Sequence, residues 1–252
     1  MAAETRQRLF LRARLSAGTV IDLDRTQSNY LINVLRMEKG DALSVFNGQD
    51  GQWRAVLSER NRRTPTLSIE KLERDQTERP DLYYLFAPLK QGRLDYMVQK
   101  AVEMGAGLLT PVLTQHTQVG RVNSERMEAN AIEAAEQCGL LSIPQIDEPI
   151  ALAQLLEAWP SVEPSRRIVY CDEAAPDGDA VAVLRALKED RFAVLVGPEG
   201  GFSEAERQDL RDKPFVTPIS LGPRILRADT AAVAAIALIQ AVVGDWRREP
   251  AT

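Results

Sequence analysis

Two stretches of the chain hold the residues best suited to chemistry, and each follows an apolar run. In the first, Val194-Leu-Val196 leads into Gly197-Pro-Glu199-Gly200-Gly201-Phe-Ser203-Glu-Ala-Glu206. Glycines lack Cβ and let backbone amides approach a ligand closely. Ser203 with Glu206 three residues later is a capping box, which fixes the start of a helix. The spacing is neither G-x-G-x-x-G nor G-x-x-x-x-G-K-[ST], and no lysine is placed for a β- or γ-phosphate. A dinucleotide or nucleoside triphosphate site is therefore disfavoured. In the second stretch, Ile219-Ser220-Leu221-Gly222-Pro-Arg224-Ile-Leu226-Arg227-Ala-Asp229-Thr230-Ala231, two arginines flank an apolar pair. Such a loop suits a flat ring and a phosphate, although the same arginines could simply form salt bridges. Asp229 or Thr230 is expected to cap the helix that follows.

Other chemistries have little to work with. His116 is the single histidine, so a multi-histidine metal site is excluded, and no G-x-S-x-G elbow accompanies it. It is expected to be an exposed polar residue in a loop. Cys138 and Cys171 lack C-x-x-C spacing and form no disulfide framework, which points to a reducing, cytoplasmic setting. Cys138 is expected to be a buried small side chain, with Gly139 ending its helix. No metal is expected.

The elements that position these residues fall into two groups. Ala42–Phe46 and Trp53–Leu57 are β-prone runs separated by Asn47-Gly48-Gln-Asp50-Gly51, a hairpin signal. Thr66–Lys71 alternates as a third strand, and Arg25–Met37 has a helical period with Tyr30, Leu31, Val34 and Leu35 on one face. These predict a small barrel-like domain over residues 1–74. The polar segment 73–81, with Pro80, is the linker candidate. Beyond it, over 75–252, apolar strands (82–87, 108–113, 168–171, 192–196, 216–221) alternate with amphipathic helices, which predicts an α/β domain with a mostly parallel sheet. Ligands in such sheets bind beyond the carboxyl ends of the strands, where both stretches lie.

The net charge of −5 divides unevenly, +4 over residues 1–74 and −9 over the rest. Local field decides whether a phosphate backbone is attracted, so the total does not argue against a nucleic-acid partner. Arg60, Arg62 and Arg63 are by default a solvated cluster. The longest apolar stretch, 231–243, contains Gln240 and is short of the roughly 20 residues of a bilayer span. A soluble protein is expected.

Gly197-Pro-Glu-Gly-Gly-Phe-Ser-Glu-Ala-Glu206 followed by Leu221-Gly-Pro-Arg-Ile-Leu-Arg-Ala-Asp-Thr-Ala231 closely resembles the RsmE family, the 16S ribosomal RNA uracil-N3 methyltransferases of the SPOUT superfamily. Val34-Leu-Arg-Met37, Gln99-Lys100 with Glu103 and Gly105, and Glu136-Gln-Cys-Gly139 match in order, so the resemblance spans nearly the whole chain. It implies a PUA-like RNA-binding barrel at the N-terminus, a C-terminal domain with a deep trefoil knot, and a cytoplasmic homodimer. S-adenosylmethionine (SAM) would be the cofactor and 16S rRNA, within the 30S subunit, the substrate in ribosome biogenesis. Implied cofactor-binding residues are Asp172, Glu173, Val196, Gly197, Glu199, Gly200, Gly201, Ile219, Ser220, Leu221, Gly222, Leu226, Thr230 and Ala231. Arg227 and Asp229 are the catalytic candidates, and Arg8, Arg12 and Arg36 the RNA contacts. Three positions depart from the family pattern: Tyr30 stands for a frequent His, Leu140 for an Arg, and Asp229 for a Glu. Rival readings are a knotted methyltransferase acting on transfer RNA and a non-catalytic RNA-binding assembly factor.

Overall fold

The computed structural model of the chain describes residues 7–60, 64–173, 175 and 178–247. The chain folds into two compact units, one running through Arg79 and including Ala135–Ile143, the other holding Pro80–Ala134 and everything from Pro144 onward. The contiguous division expected at residue 74 did not include the 135–143 segment.

In the first unit, β1 (Arg8–Phe10), β2 (Val20–Asp22), β3 (Ala42–Phe46), β4 (Gln52–Glu59) and β5 (Thr66–Arg74) form a sheet in the order β1-β3-β4-β5-β2. Only β1 and β3 run parallel. The β3–β4 hairpin turns where the sequence suggested. Asn47 Oδ1 accepts from the amides of Gln49 and Asp50, and Gly48 supplies a φ of +84°. Leu9, Leu31, Leu43, Val45, Leu57, Leu67 and Ile69 make the core, each fully buried Leu or Ile contributing roughly 1.5–3 kcal/mol.

The helical period at 25–37 folds differently from the regular helix expected. A short helix α1 (Arg25–Asn29), capped by an Asp24/Gln27 capping box, passes into a π-helical turn over Tyr30–Val34. The Leu35 amide reaches back five residues to the Tyr30 carbonyl. That wider turn rotates the expected apolar face, so Leu31 is buried while Val34 is 61% exposed.

The second unit continues with β6 (Leu82–Phe86), α2 (Gln91–Glu103), β7 (Ala106–Leu113), α3 (Ser124–Cys138), β8 (Gln145–Ile146), β9 (Ile150–Ala151), α4 (Leu152–Val162), β10 (Arg166–Cys171), α5 (Ala180–Arg185), β11 (Arg191–Val196), α6 (Glu204–Asp212), β12 (Val216–Ile219) and α7 (Ala228–Val242). The last turn of α3 belongs to the first unit. The sheet runs β12-β10-β11-β6-β7-β8, with β9 also on β7, and every pairing is parallel. Continuous apolar strands such as Phe192–Val196 are buried on both faces, as a parallel sheet requires. Helix α4 was not expected, yet Leu152, Leu155, Leu156 and Trp159 are its buried stripe. Because β10 lies between β11 and β12, the loops leaving those three strands open at one end of the sheet.

Candidate functional site

The three loops meet around a cavity of about 250 Å³. After β10 come Asp172 and Glu173. After β11 come Gly197, Pro198, Glu199, Gly201 and Phe202. After β12 come Ser220–Leu226, followed by Ala228 and Ala231 of α7. Of the expected cofactor residues, Asp172, Glu173, Val196, Gly197, Glu199, Gly201, Ser220, Leu221, Gly222, Leu226 and Ala231 line this cavity. Gly200, Ile219 and Thr230 do not. Ile219 is buried in β12, where its carbonyl accepts from the Asp172 amide and closes the strand pair. Cys171, Pro198, Phe202, Arg207, Arg224 and Ile225 line the cavity without having been expected. Phe202 and Arg224 lie inside the two motifs and could have been included on that ground. Arg207 lies one helical turn beyond Ser203, and no spacing rule singles it out.

The glycines of the first loop are explained by neighbours as much as by a ligand. A Cβ on Gly197 would stand 2.8 Å from the Phe202 ring, and one on Gly200 would stand 3.3 Å from the His116 Cβ. Gly201 adopts φ +66°, and a Cβ there would meet Glu173 Oε1 at 2.8 Å. The loop ends in the expected capping box, with Ser203 Oγ accepting from the Glu206 amide and Glu206 Oε2 from the Ser203 amide. The other oxygen of Glu206 accepts from the Gln115 amide, and His116 Nδ1 lies 3.0 and 3.1 Å from the carbonyls of Gly200 and Gly201. His116 is exposed in a turn, as expected, and its ring also fastens the glycine loop.

The floor of the cavity is a charged cluster. Asp172 is 3% exposed, and its Oδ2 accepts from Tyr170 Oη and from Arg211, each at 2.7 Å. Burial and the neighbouring carboxylate push the Tyr170 phenol up, so it remains a donor at neutral pH. Burial likewise pushes the Cys171 thiol up to about 12, which removes it as a nucleophile. Cys138, expected to be buried, is exposed, because α3 presents it on an outer face of its last turn. Gly139 follows with φ +84°, the helix end the sequence suggested.

Neither expected catalytic residue lines the cavity, although both adjoin its wall at Ala228. Helix α7 starts at Ala228 with Arg227 as N-cap, so neither Asp229 nor Thr230 caps it as expected. Asp229 lies in the first turn, and its Oδ1 accepts from the amide of Thr230. Arg224 and Arg227 are exposed and make no ion pair with any described residue, so the salt-bridge alternative does not hold. Between them Ile225 is 88% exposed. Glu199, by contrast, is ion-paired to Arg93 of α2.

The three arginines of the first unit differ. Arg8 is committed to structure, its guanidinium donating to the carbonyls of Ala135, Glu136 and Leu140 at 2.7, 3.1 and 2.6 Å. Cations at a helix carbonyl end are favourable, so Arg8 caps α3. Arg12 is exposed, its guanidinium over the Phe10 ring. Arg36 is exposed at φ +56°, a left-handed backbone that costs a non-glycine residue about 1 kcal/mol or more. Arg60 pairs with Glu38, while Arg62 and Arg63 lie outside the described residues. Among the described residues, no cluster of His, Cys, Asp or Glu could hold a metal, and no helix is long and apolar enough to cross a membrane.

Comparison with known proteins gives matches over nearly the whole chain. Residues 77–240 match the RNA methyltransferase domain model and residues 23–70 the RNA methyltransferase PUA domain model. Ribosomal RNA small subunit methyltransferase E of Buchnera aphidicola subsp. Schizaphis graminum is 30% identical over 94% of this chain and 97% of its own. The protein of that name from Rickettsia conorii is 28% identical over 92% and 94%. The crystal structure of ribosomal RNA small subunit methyltransferase E from Neisseria gonorrhoeae bound to S-adenosyl methionine superposes with a TM-score of 0.82 at 26% identity, covering 95% of this chain and 99% of that one.

Proposed function

The chain belongs to the family of ribosomal RNA small subunit methyltransferase E, and from that premise we propose that this SAM-dependent rRNA methyltransferase acts on N3 of a uridine in the 16S rRNA of the 30S subunit. The observation that carries the reading is the cavity itself, closed by three strand-end loops and lined by Arg224, which makes no ion pair with a described residue. Its chemistry fits SAM. Val196, Phe202, Leu221 and Leu226 offer apolar surface for a flat purine, Asp172 and Glu173, paired with Arg211 and Arg207, keep carboxylate oxygens for hydroxyl groups, and Arg224 offers a cation for a carboxylate. Once bound, SAM supplies a methyl group already made electrophilic by its sulfonium.

The protein's task is then to position uracil and to handle the N3 proton. Arg227, exposed beside the cavity wall, stabilises negative charge developing on the uracil carbonyl oxygens. Asp229 accepts the N3 proton. It is preferred over Glu199 because Glu199 is held in an ion pair with Arg93, whereas Asp229 makes no ion pair with a described residue and only accepts from the Thr230 amide and hydroxyl. Arg12 and Arg36 contact phosphate, and a second copy of the chain covers Ile225. The trefoil-knotted threading and the cytoplasmic setting belong to the same proposal.

The test is methylation of 30S subunits with methyl-labelled SAM, followed by mapping of the modified base. A single N3-methyluridine in 16S rRNA is expected, and 30S subunits left unlabelled, or labelled only at another nucleotide atom, would overturn the proposal. Arg227→Ala is expected to lower kcat about 10²–10³-fold and Asp229→Asn about 10²–10⁴-fold. Both variants methylating at the wild-type rate with normal SAM binding would refute these roles.

A further inference from the structure

Beside the Gly197–Gly201 loop, the loop after β7 forms a shallow, open groove lined by Gln115, His116, Thr117, Gln118 and Gly200. A narrower notch continues from it past His116 to Lys90, Pro198 and Glu199. Pro198 and Glu199 also line the cofactor cavity, so one stretch of backbone separates the two sites.

Which ring nitrogen of His116 carries a hydrogen follows from its partners. Nδ1 faces two carbonyl oxygens, which can only accept, so Nδ1 carries the hydrogen. In the neutral imidazole Nε2 is then a bare acceptor. The side chain is exposed, lines both groove and notch, and makes no other hydrogen bond to a described residue. At the other end of the notch, Lys90 is exposed and makes no ion pair with a described residue. An exposed ammonium that lines the same notch as His116, with no ion pair to a described residue, suits a phosphate.

We propose that this groove is a nucleotide subsite for the RNA substrate. Lys90 holds a phosphate, and His116 Nε2 accepts a hydrogen bond from the nucleotide, through either its ribose 2′-hydroxyl or a base N–H. Because the same ring holds Gly200 and Gly201 through Nδ1, His116 is a positioning residue that joins substrate binding to the shape of the cofactor loop. This rests on the functional reading above.

His116→Asn separates the two halves of the role. Its amide nitrogen replaces Nδ1 and still donates to the glycine carbonyls, but nothing replaces Nε2. SAM affinity of this variant, measured by calorimetry, is expected to stay within about two-fold of wild type, while KM for 30S subunits rises about ten-fold with kcat little changed, the loss of one hydrogen bond. His116→Ala should weaken both substrates. RNA carrying 2′-deoxyuridine at the target or its neighbours identifies the donor. If it weakens wild type but not His116→Asn, the ribose hydroxyl is the partner. If both enzymes lose equally, the partner is a base N–H. Wild-type KM in His116→Asn would overturn the subsite, and unchanged SAM affinity in His116→Ala would overturn the coupling. If wild type transfers no methyl to 30S subunits, the functional reading fails. The two SAM affinities still decide the coupling in that case.

Discussion

Replacing Gly197 with alanine tests whether the glycine loop is shaped by its aromatic neighbour. The added methyl would lie 2.8, 3.1 and 3.2 Å from three carbons of the Phe202 ring, whereas carbon pairs settle at about 3.5–4.0 Å. The ring would have to withdraw by roughly 0.5–1 Å. It has little room to do so. Phe202 is 4% exposed, stands edge-on to Tyr170 with ring centroids 5.9 Å apart, and packs in the core with Leu195 and Leu210. Overpacking of this kind costs about 1–3 kcal/mol, and at about 2–4 °C per kcal/mol for a chain of this size the melting temperature should fall by roughly 2–12 °C. SAM affinity should fall as well, since Phe202 lines the cavity. Adding Phe202→Leu makes room for the methyl, so the double variant should melt above the sum of the single losses. A Gly197→Ala protein that melts within about 1 °C of wild type, or strict additivity in the double variant, would refute the steric account.

Two further outcomes concern titration. Burial raises the Asp81 carboxyl, but hydrogen bonds from Arg191 and Arg166 outweigh it and leave the group below its usual range. A depressed carboxylate stabilises the fold above its unfolded pKa, and that stability is lost as pH falls through the folded value. Asp81→Asn should therefore cost about 1 kcal/mol at pH 7, discounted for the exposure of Asp81. Denaturant curves should converge with wild type as pH falls below the folded value of the Asp81 carboxyl, and a gap that persists in acid would contradict this. The two thiols should also separate. At pH 8 iodoacetamide should label exposed Cys138, while Cys171, pushed up to about 12, stays unmodified until the protein unfolds. Mass spectrometry showing equal labelling in the native protein would contradict the raised Cys171 thiol.

Local chemistry made part of this molecule legible. The β3–β4 turn, the Ser203/Glu206 cap and the strand-end loops depend on residues a few positions apart, and the sequence states such relations directly. What it concealed were relations over long separations. His116 became informative only when folding brought it to carbonyls 84 and 85 residues away. The commitment of Arg8 depends on carbonyls 127 to 132 residues later, and nothing near Arg8 distinguishes it from Arg12. Helix α4 was legible in principle, since its buried residues recur at helical spacing, but Pro160 lies within it and reads as a break. The π turn at Tyr30–Val34 escaped because a five-residue bond leaves no compositional trace.

The first unit is not a contiguous piece of chain, and that has a consequence for its synthesis. A ribosome making this protein completes Arg79 well before it reaches Ala135–Ile143. At about 5–20 residues per second the roughly 60 intervening residues take about 3–12 seconds. Throughout that interval the Arg8 guanidinium lacks the carbonyls of Ala135, Glu136 and Leu140. The N-terminal sheet can pair its strands, but its closing contacts wait for the end of α3. A chain cut after residue 79 is held in that unfinished state, so the amino-terminal unit is best produced together with the residues that complete it.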